Sequence, residues 1–306
     1  MTVGFFRDPS LAFLGQGILR VDIDAVLPNG TLFSTIIFVN QSTVTTCPDQ
    51  TTGLWNTSSA GIEISFTVSS NLQNAKIVVK SPQVSGTLTL DSVAPPLYPA
   101  GEHYPSSTAS MALGPLIYWN EPIPGAIAHA SFTWGGTPFH IDGFGSEVRN
   151  WGPFIWDYIS KSWYWLHLNV GPYTLVYWSW VSGIDGKTYT TGWLSKCGVE
   201  VFSTRNGSPN EAGYPTMTLL YGNGVHGQIG DNSTGIVLDF VGEENGGNKW
   251  HFELNHTNVE FTVPVQVNTK YTRFVNTVKG GELDGEQWTG VGISEQDITS
   301  VVTPLP

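Results

Sequence analysis

The sequence predicts an all-β protein: two β-barrel or β-sandwich domains packed side by side, with a ligand cavity at or near their interface. Three observations carry this expectation. Charged residues make up only 12% of the 306-residue chain, while Gly, Ser, Thr, Val and aromatic residues abound. That mix favours strands joined by tight turns over solvated helices. Apolar and polar residues alternate with period two through most segments, and no segment carries a helical stripe of useful length. Dipeptides of hairpin type recur at Asn29-Gly30, Gly135-Gly136, Asp185-Gly186, Asn206-Gly207 and Gly280-Gly281. Small barrels remove exposed edges and can enclose one ligand, and a pair of them creates a further cleft.

From the N-terminus, RVDIDAV places Asp22 and Asp24 on a strand face opposite Val21 and Ile23. Two carboxylates on one face fit an acid and a base, a cation site, or a solvated face. Ile62 to Val68 and Val84 to Leu90 alternate cleanly. Ala94 to Ser110 (APPLYPAGEHYPSSTAS) is a long aperiodic connection of the kind that is functional or lid-like. NWGPFIWDYIS, ending at Ser160, separates two strand-rich halves and sets the expected domains at 1–157 and 158–306. Strands rich in aromatics follow: SWYWLHL (Ser162 to Leu168), GPYTLVYWSWV (Gly171 to Val181) and TYTTGWL (Thr188 to Leu194). Trp163, Trp165 and His167 share one face of the first; Tyr164, Leu166 and Leu168 share the other. In the second, Tyr173, Leu175, Tyr177 and Ser179 alternate with Val176, Trp178 and Trp180. Either both faces pack or one lines a cavity with His167 as its polar handle. Such a lining suits a bulky, mostly apolar small molecule.

Other classes recede. The formal net charge of -12 and scattered basic residues argue against nucleic acid. No run of about 18 apolar residues spans a membrane, and Met1 to Leu19 is too polar for a secretory leader. Six N-x-S/T sequons (Asn29, Asn40, Asn56, Asn206, Asn232, Asn255) permit a secretory route without establishing it, so the compartment stays open between cytoplasm and secretory pathway. Cys47 and Cys197 are expected to be buried thiols; their spacing excludes a CxxC motif. Gly222 to Gly227 satisfies GxGxxG but lacks a following helix, so it reads as a turn. His251 and His256 point to opposite faces of a strand, and no metal site is expected. No GxSxG or HExxH motif occurs. Glu147 and Arg149 share a face; Lys270 and Arg273 are two of the few cations and suit an enol or carboxylate ligand, or the surface.

Several stretches together resemble the fungal Diels–Alderases that form decalin rings, within the wider hydroxyneurosporene-synthase-like superfamily of paired lipocalin-like domains. They are Asp24-Ala25-Val26 with Asn29-Gly30, Ser85 to Pro95, Gly143 to Gly152, Ser162 to Trp165 with Gly171-Pro172-Tyr173, and Tyr271 to Val275 with Gly280-Gly281-Glu282. The chain departs from the family where Val21, Asp22 and Ile23 replace aromatics and where Glu147-Val148 replaces His-Asp. It also begins unusually close to its first strand. The resemblance implies a cofactor-independent intramolecular cycloaddition of a linear polyene by a monomer or homodimer. An aromatic cavity would fold the polyene, and donors near the dienophile carbonyl would stabilise developing charge. The candidate residues for catalysis are Lys270, Arg273, His167 and Glu147. Those for substrate contact are Asp22, Asp24, Trp119, Asn150, Trp163, Trp165, Tyr177 and Trp178. A hydratase of the same superfamily, with Glu147, Asp22 or Asp24 as its acid, and a non-catalytic carrier are the alternatives.

Overall fold

A computed structural model describes residues 1–27, 29–205, 213–226, 231–242, 249–266 and 269–299. Chain contacts divide it into two compact units, Met1–Val93 with Gly125–Glu147 and Ala94–Pro124 with Val148–Pro306.

In the first unit, β1 (Thr2–Arg7), β2 (Leu19–Val26) and β3 (Leu32–Phe38) form a three-stranded antiparallel sheet. A larger sheet runs through β4 (Gln41–Thr46), β5 (Gln50–Thr57), β6 (Ile62–Ser69), β7 (Asn74–Lys80) and β8 (Val84–Ser92). The long strands β10 (Ile117–Trp134) and β11 (Thr137–Trp151) complete the larger sheet, residues 125–134 and 137–147 of them falling in this unit; the short β9 (Ala112–Gly114), which pairs with the start of β10, falls in the second. Alternation does its expected work in β2: Val21, Ile23 and Ala25 are fully buried in a core with Trp55, Ile64, Val79, Phe132 and Trp134.

In the second unit a single turn of helix, α1 (Trp156–Ile159), leads into nine antiparallel strands. They are β12 (Ser160–Val170), β13 (Tyr173–Ser182), β14 (Thr188–Lys196), β15 (Val199–Arg205), β16 (Tyr214–Leu220), β17 (Gly235–Val241), β18 (Lys249–Gln266), β19 (Thr269–Glu282) and β20 (Gln287–Thr299). Their order is β15-β14-β13-β12-β20-β19-β18-β17-β16, a nearly closed barrel in which the first strand of the run pairs with the last. Period two then sorts the aromatic strands. Leu166, Leu168, Leu175 and Tyr177 join one core with Phe240, Phe252 and Leu254. Trp163, Trp165, Val176, Trp178 and Trp180 join a second core with Leu97, Leu113, Ile117 and Trp119. Both faces of β12 and β13 are therefore packed.

Two expectations are corrected. Gly280-Gly281 is not a turn: it lies inside β19, opposite Phe252 and His251, and the reversal follows at 283–286. A Cβ on Gly280 would sit 2.2 Å from the His251 carbonyl oxygen, so glycine here answers a close strand approach. Cys47 and Cys197 are exposed free thiols. Each sits just past the end of a strand, and Cys197 adopts a left-handed φ of 52°. The hairpins at Asn29-Gly30, Gly135-Gly136 and Asp185-Gly186 stand as expected, and Asn206-Gly207 lies outside the described residues. No helix among the described residues is long and apolar enough to cross a membrane.

Candidate active site

Strand register builds the site. Trp165 on β12 pairs with Glu295 on β20, Glu295 pairs with Arg273 on β19, and Arg273 pairs with Phe261 on β18. On its other side Trp165 pairs with Trp178 on β13. Side chains at opposed positions point to the same sheet face, so these five form one transverse row. A second row runs Tyr271, Asp297, Trp163, Trp180 and Tyr189. A third places His167 between Ile293 and Val176, with Trp193 next.

The rows form a dense aromatic face. Trp156 from α1 lies 4.8 Å from Trp163 and stacks at 5.9 Å on Trp178, which Trp119 meets edge-on at 5.5 Å. Tyr271 lies 5.5 Å from Trp163. The indole N–H groups separate into two kinds. Those of Trp180, Trp193 and Trp163 donate to Ser160 Oγ (2.9 Å), Glu200 Oε2 (2.9 Å) and Glu295 Oε2 (3.3 Å). Those of Trp119, Trp165 and Trp178 are buried and meet no acceptor among the described residues. A buried donor without a partner costs about 1–3 kcal/mol, and three such donors fall in this one cluster.

The one charged group in the Trp165 row besides Glu295 is Arg273. Its Nε donates to Glu295 Oε1 at 2.9 Å, and both side chains are 12% exposed. The Tyr271 hydroxyl donates to the same oxygen at 2.6 Å, and an Arg273 terminal nitrogen donates to the Tyr271 hydroxyl at 3.1 Å. The guanidinium lies 5.0 Å from the Phe261 ring centre and 6.0 Å from that of Trp165. Burial pushes the Tyr271 phenol well up, so it remains a neutral donor. His167 is fully buried, and its Nε2 contacts the Pro124 carbonyl oxygen. A carbonyl only accepts, so Nε2 carries the proton. Burial lowers the His167 pKa to about 4; the ring is neutral and serves as a donor anchored to β10 rather than as an acid.

The segment between β8 and β9 packs into this cluster through Ala94 and Leu97. It is tied to the barrel where Thr191 Oγ1 donates to the Pro99 carbonyl at 2.5 Å and where His103 Nε2 meets Glu200 Oε2 at 2.9 Å. Gly101, at φ 81°, is pressed so close to β15 that a Cβ would lie 1.5 Å from Ser203 Oγ.

The candidate residues thus divide. Trp119, Trp163, Trp165, Trp178, His167 and Arg273 gather on this face. Tyr177 points the other way, into the core with Leu166 and Phe240, where burial raises its phenol to about 12. Asn150 is exposed at the end of β11, and Glu147 is half-buried on the same strand, in the first unit. Asp22 and Asp24 lie on β2 of the first unit, each engaged: Asp22 pairs with Arg20 at 3.2 Å, and Asp24 accepts from Ser34 Oγ at 2.6 Å. Burial raises the Asp22 pKa against the pull of Arg20. Lys270 is on β19, but its side chain lies outside the described residues. Sequence reasoning missed Glu295, Tyr271 and Trp156. The signal for Glu295 was present in ISEQDI, whose alternation sends Ser294 and Gln296 to one face and Glu295 and Asp297 to the other. A shallow depression of about 520 Å³ at Asn255, Thr277, Lys279 and Val291 contains none of these residues. No group of three or more His, Cys, Asp or Glu among the described residues is placed to hold a metal ion.

Comparison with known proteins places this geometry in a family context. The sequence model described as DA-like (Diels-Alderase-like) matches residues 1–300. The chain is 32% identical to Diels-Alderase poxQ of Penicillium oxalicum over 286 residues, covering 94% of this chain and 63% of that protein. It is 34% identical to Diels-Alderase ffsF of Aspergillus flavipes over 303 residues, covering 95% of this chain and 71% of the relative. The crystal structure of CghA with Sch210972 superposes with a TM-score of 0.82 at 25% identity, over 97% of this chain and 84% of that one. The chain thus spans somewhat under two thirds of the length of poxQ.

Proposed function

Since the chain belongs to the Diels-Alderase-like family, we propose that it is a cofactor-independent pericyclase, closing a linear polyene polyketide of tetramic-acid type by intramolecular [4+2] cycloaddition. The observation that carries the reading is the aromatic face on which three buried indole N–H groups lack an acceptor beside the Arg273–Glu295 pair.

The reaction asks little covalent chemistry of a protein. Four π electrons of a diene and two of a dienophile become two new C–C σ bonds and one new π bond. No atom, proton or electron enters or leaves. The protein's contribution is to hold the chain folded so that the bond-forming carbons meet, which removes rotor entropy ahead of the barrier. Flat, rigid indoles on β12 and β13 suit that task because they present large apolar area at little entropy cost. The second contribution is electrostatic. A carbonyl conjugated to the dienophile gains electron density as the bonds form, and a fixed donor stabilises that charge more in the transition state than in the ground state. Trp119, Trp165 and Trp178 are the candidate donors, with Arg273 and His167 supplying the polar edge of the face.

The test is mass-resolved chromatography of the purified chain with a linear polyene tetramic acid and no added cofactor. A product of unchanged mass, shifted retention and one diastereomer supports the proposal. A gain or loss of one water reassigns the chain to hydration or dehydration. Tight binding without turnover reassigns it to carriage.

A further inference from the structure

Three donors on two strands converge on one carboxylate. Glu295 Oε1 accepts from the Tyr271 hydroxyl at 2.6 Å and from Arg273 Nε at 2.9 Å, and Oε2 accepts from Trp163 Nε1 at 3.3 Å. Glu295 stands between Trp165 and Arg273 in the transverse row, at the centre of the aromatic face. A buried ion pair is a weak stabiliser, since apolar replacement of both partners is often neutral or better. Stability alone is therefore a poor reason for this arrangement. What the pair does accomplish is orientation. Arginine has a long, rotor-rich stem, yet here its guanidinium is fixed by Glu295 and Tyr271 while its plane is bounded by Phe261 and Trp165. The Trp163 indole is fixed at its nitrogen by Glu295 and across its ring by Trp156 and Tyr271.

We propose that Glu295 is a positioning residue: it holds the Arg273 guanidinium and the Trp163 indole in set orientations on the face that folds the polyene, and so selects which diastereomer forms. The inference rests on the pericyclase reading. Glu295 itself need not touch the substrate. It acts through two groups whose displacement by an ångström would admit a second folded conformer of the polyene.

The experiment compares the wild-type chain with Glu295→Gln, Trp163→Phe and Tyr164→Phe. Tyr164 faces away from the site, and its hydroxyl donates to Asp231 at 2.6 Å, so Tyr164→Phe controls for general loosening of the same strand. Turnover, KM and the diastereomer ratio are read after subtracting the spontaneous reaction. Glu295→Gln is expected to lower kcat by about 10-fold or more, to move KM less, and to shift the ratio towards the spontaneous mixture. Tyr164→Phe is expected to lower the melting temperature and leave the ratio alone. A folded Glu295→Gln chain with the wild-type ratio overturns the proposal, as does an equal shift in Tyr164→Phe. Should Glu295→Gln not fold, Trp163→Phe decides: it removes one of the three converging donors without stranding a charge, and an unchanged ratio overturns the proposal. If the wild-type chain cyclises no polyene, the pericyclase reading fails, and the positioning role is then read without substrate from the Arg273 Nε–H resonance. That proton should be protected from exchange in the wild type and less protected in Glu295→Ala, which removes the acceptor that a glutamine carbonyl would keep; equal protection overturns it.

Discussion

The two classes of indole N–H make a sharp prediction when Trp178→Phe is set beside Trp180→Phe. Trp178 is 2% exposed and Trp180 fully buried, they lie on the same face of β13, and both belong to one aromatic cluster. Each substitution removes roughly 40 Å³, which leaves a cavity worth about 1 kcal/mol. The nitrogens differ. Trp180→Phe also deletes the bond to Ser160 Oγ, for about 1 kcal/mol more. Trp178→Phe deletes a buried donor that has no acceptor, relieving a penalty of about 1–3 kcal/mol. The first variant should therefore lose about 2 kcal/mol and the second should be neutral or slightly more stable. At roughly 2–4 °C per kcal/mol for a domain of this size, thermal unfolding should separate the two by about 4 °C or more. Activity should separate them the other way. If the Trp178 N–H meets the substrate carbonyl, its loss costs one neutral hydrogen bond of about 0.5–1.5 kcal/mol, or about 2- to 10-fold in rate. Trp180→Phe, whose N–H is already committed, should keep its rate at a temperature where it is folded. The reasoning is refuted if Trp178→Phe melts as low as Trp180→Phe and turns over like the wild type, since its nitrogen would then have a partner and no catalytic use.

Acid should destabilise the fold through buried histidines. His167 and His256 are both held down at about 4 by burial, below the ~6.5 of a free imidazole. As pH falls the unfolded chain takes up protons first, so stability is whole above about 6.5 and is lost towards pH 4, by up to about 3 kcal/mol for each group. His167→Gln should roughly halve the fall in melting temperature over that range; an unaltered slope would assign the protons elsewhere. Titration of the native chain with a thiol reagent should modify Cys47 and Cys197 rapidly, giving two equivalents without denaturant, and fewer than two would contradict their exposure. Gly101→Ala forces a Cβ to within 1.5 Å of Ser203 Oγ at a left-handed φ, a cost of about 1–3 kcal/mol that should appear as early protease cleavage between Ala94 and Ser110. Glu147→Gln should change cyclisation less than about 3-fold, because a cycloaddition needs no strong acid; collapse of activity would favour a hydratase.

Much of the framework was legible in the sequence because strand alternation is local. SWYWLHL sorts its residues by period two whatever lies around it, and Leu166 and Leu168 duly separate from Trp163 and Trp165. The hairpin at Gly135-Gly136 follows from positive φ at both residues, and that at Asp185-Gly186 from positive φ at Gly186 alone. Gly280-Gly281 carries the same signal for a different reason, a close strand crossing that only the partner on β18 reveals. The sequence also carried enough of the family's pattern to assign the chain. It could not assemble the site. Trp165, Glu295 and Arg273 sit in one row because β12 pairs with β20 as the barrel comes round, bringing together residues more than a hundred positions apart. Register between strands so distant is set by the closing of the whole sheet rather than by any turn between them. Whether an indole nitrogen is spent on Ser160 or left without an acceptor in the row of Arg273 is fixed at the same level, by what the completed packing places against it.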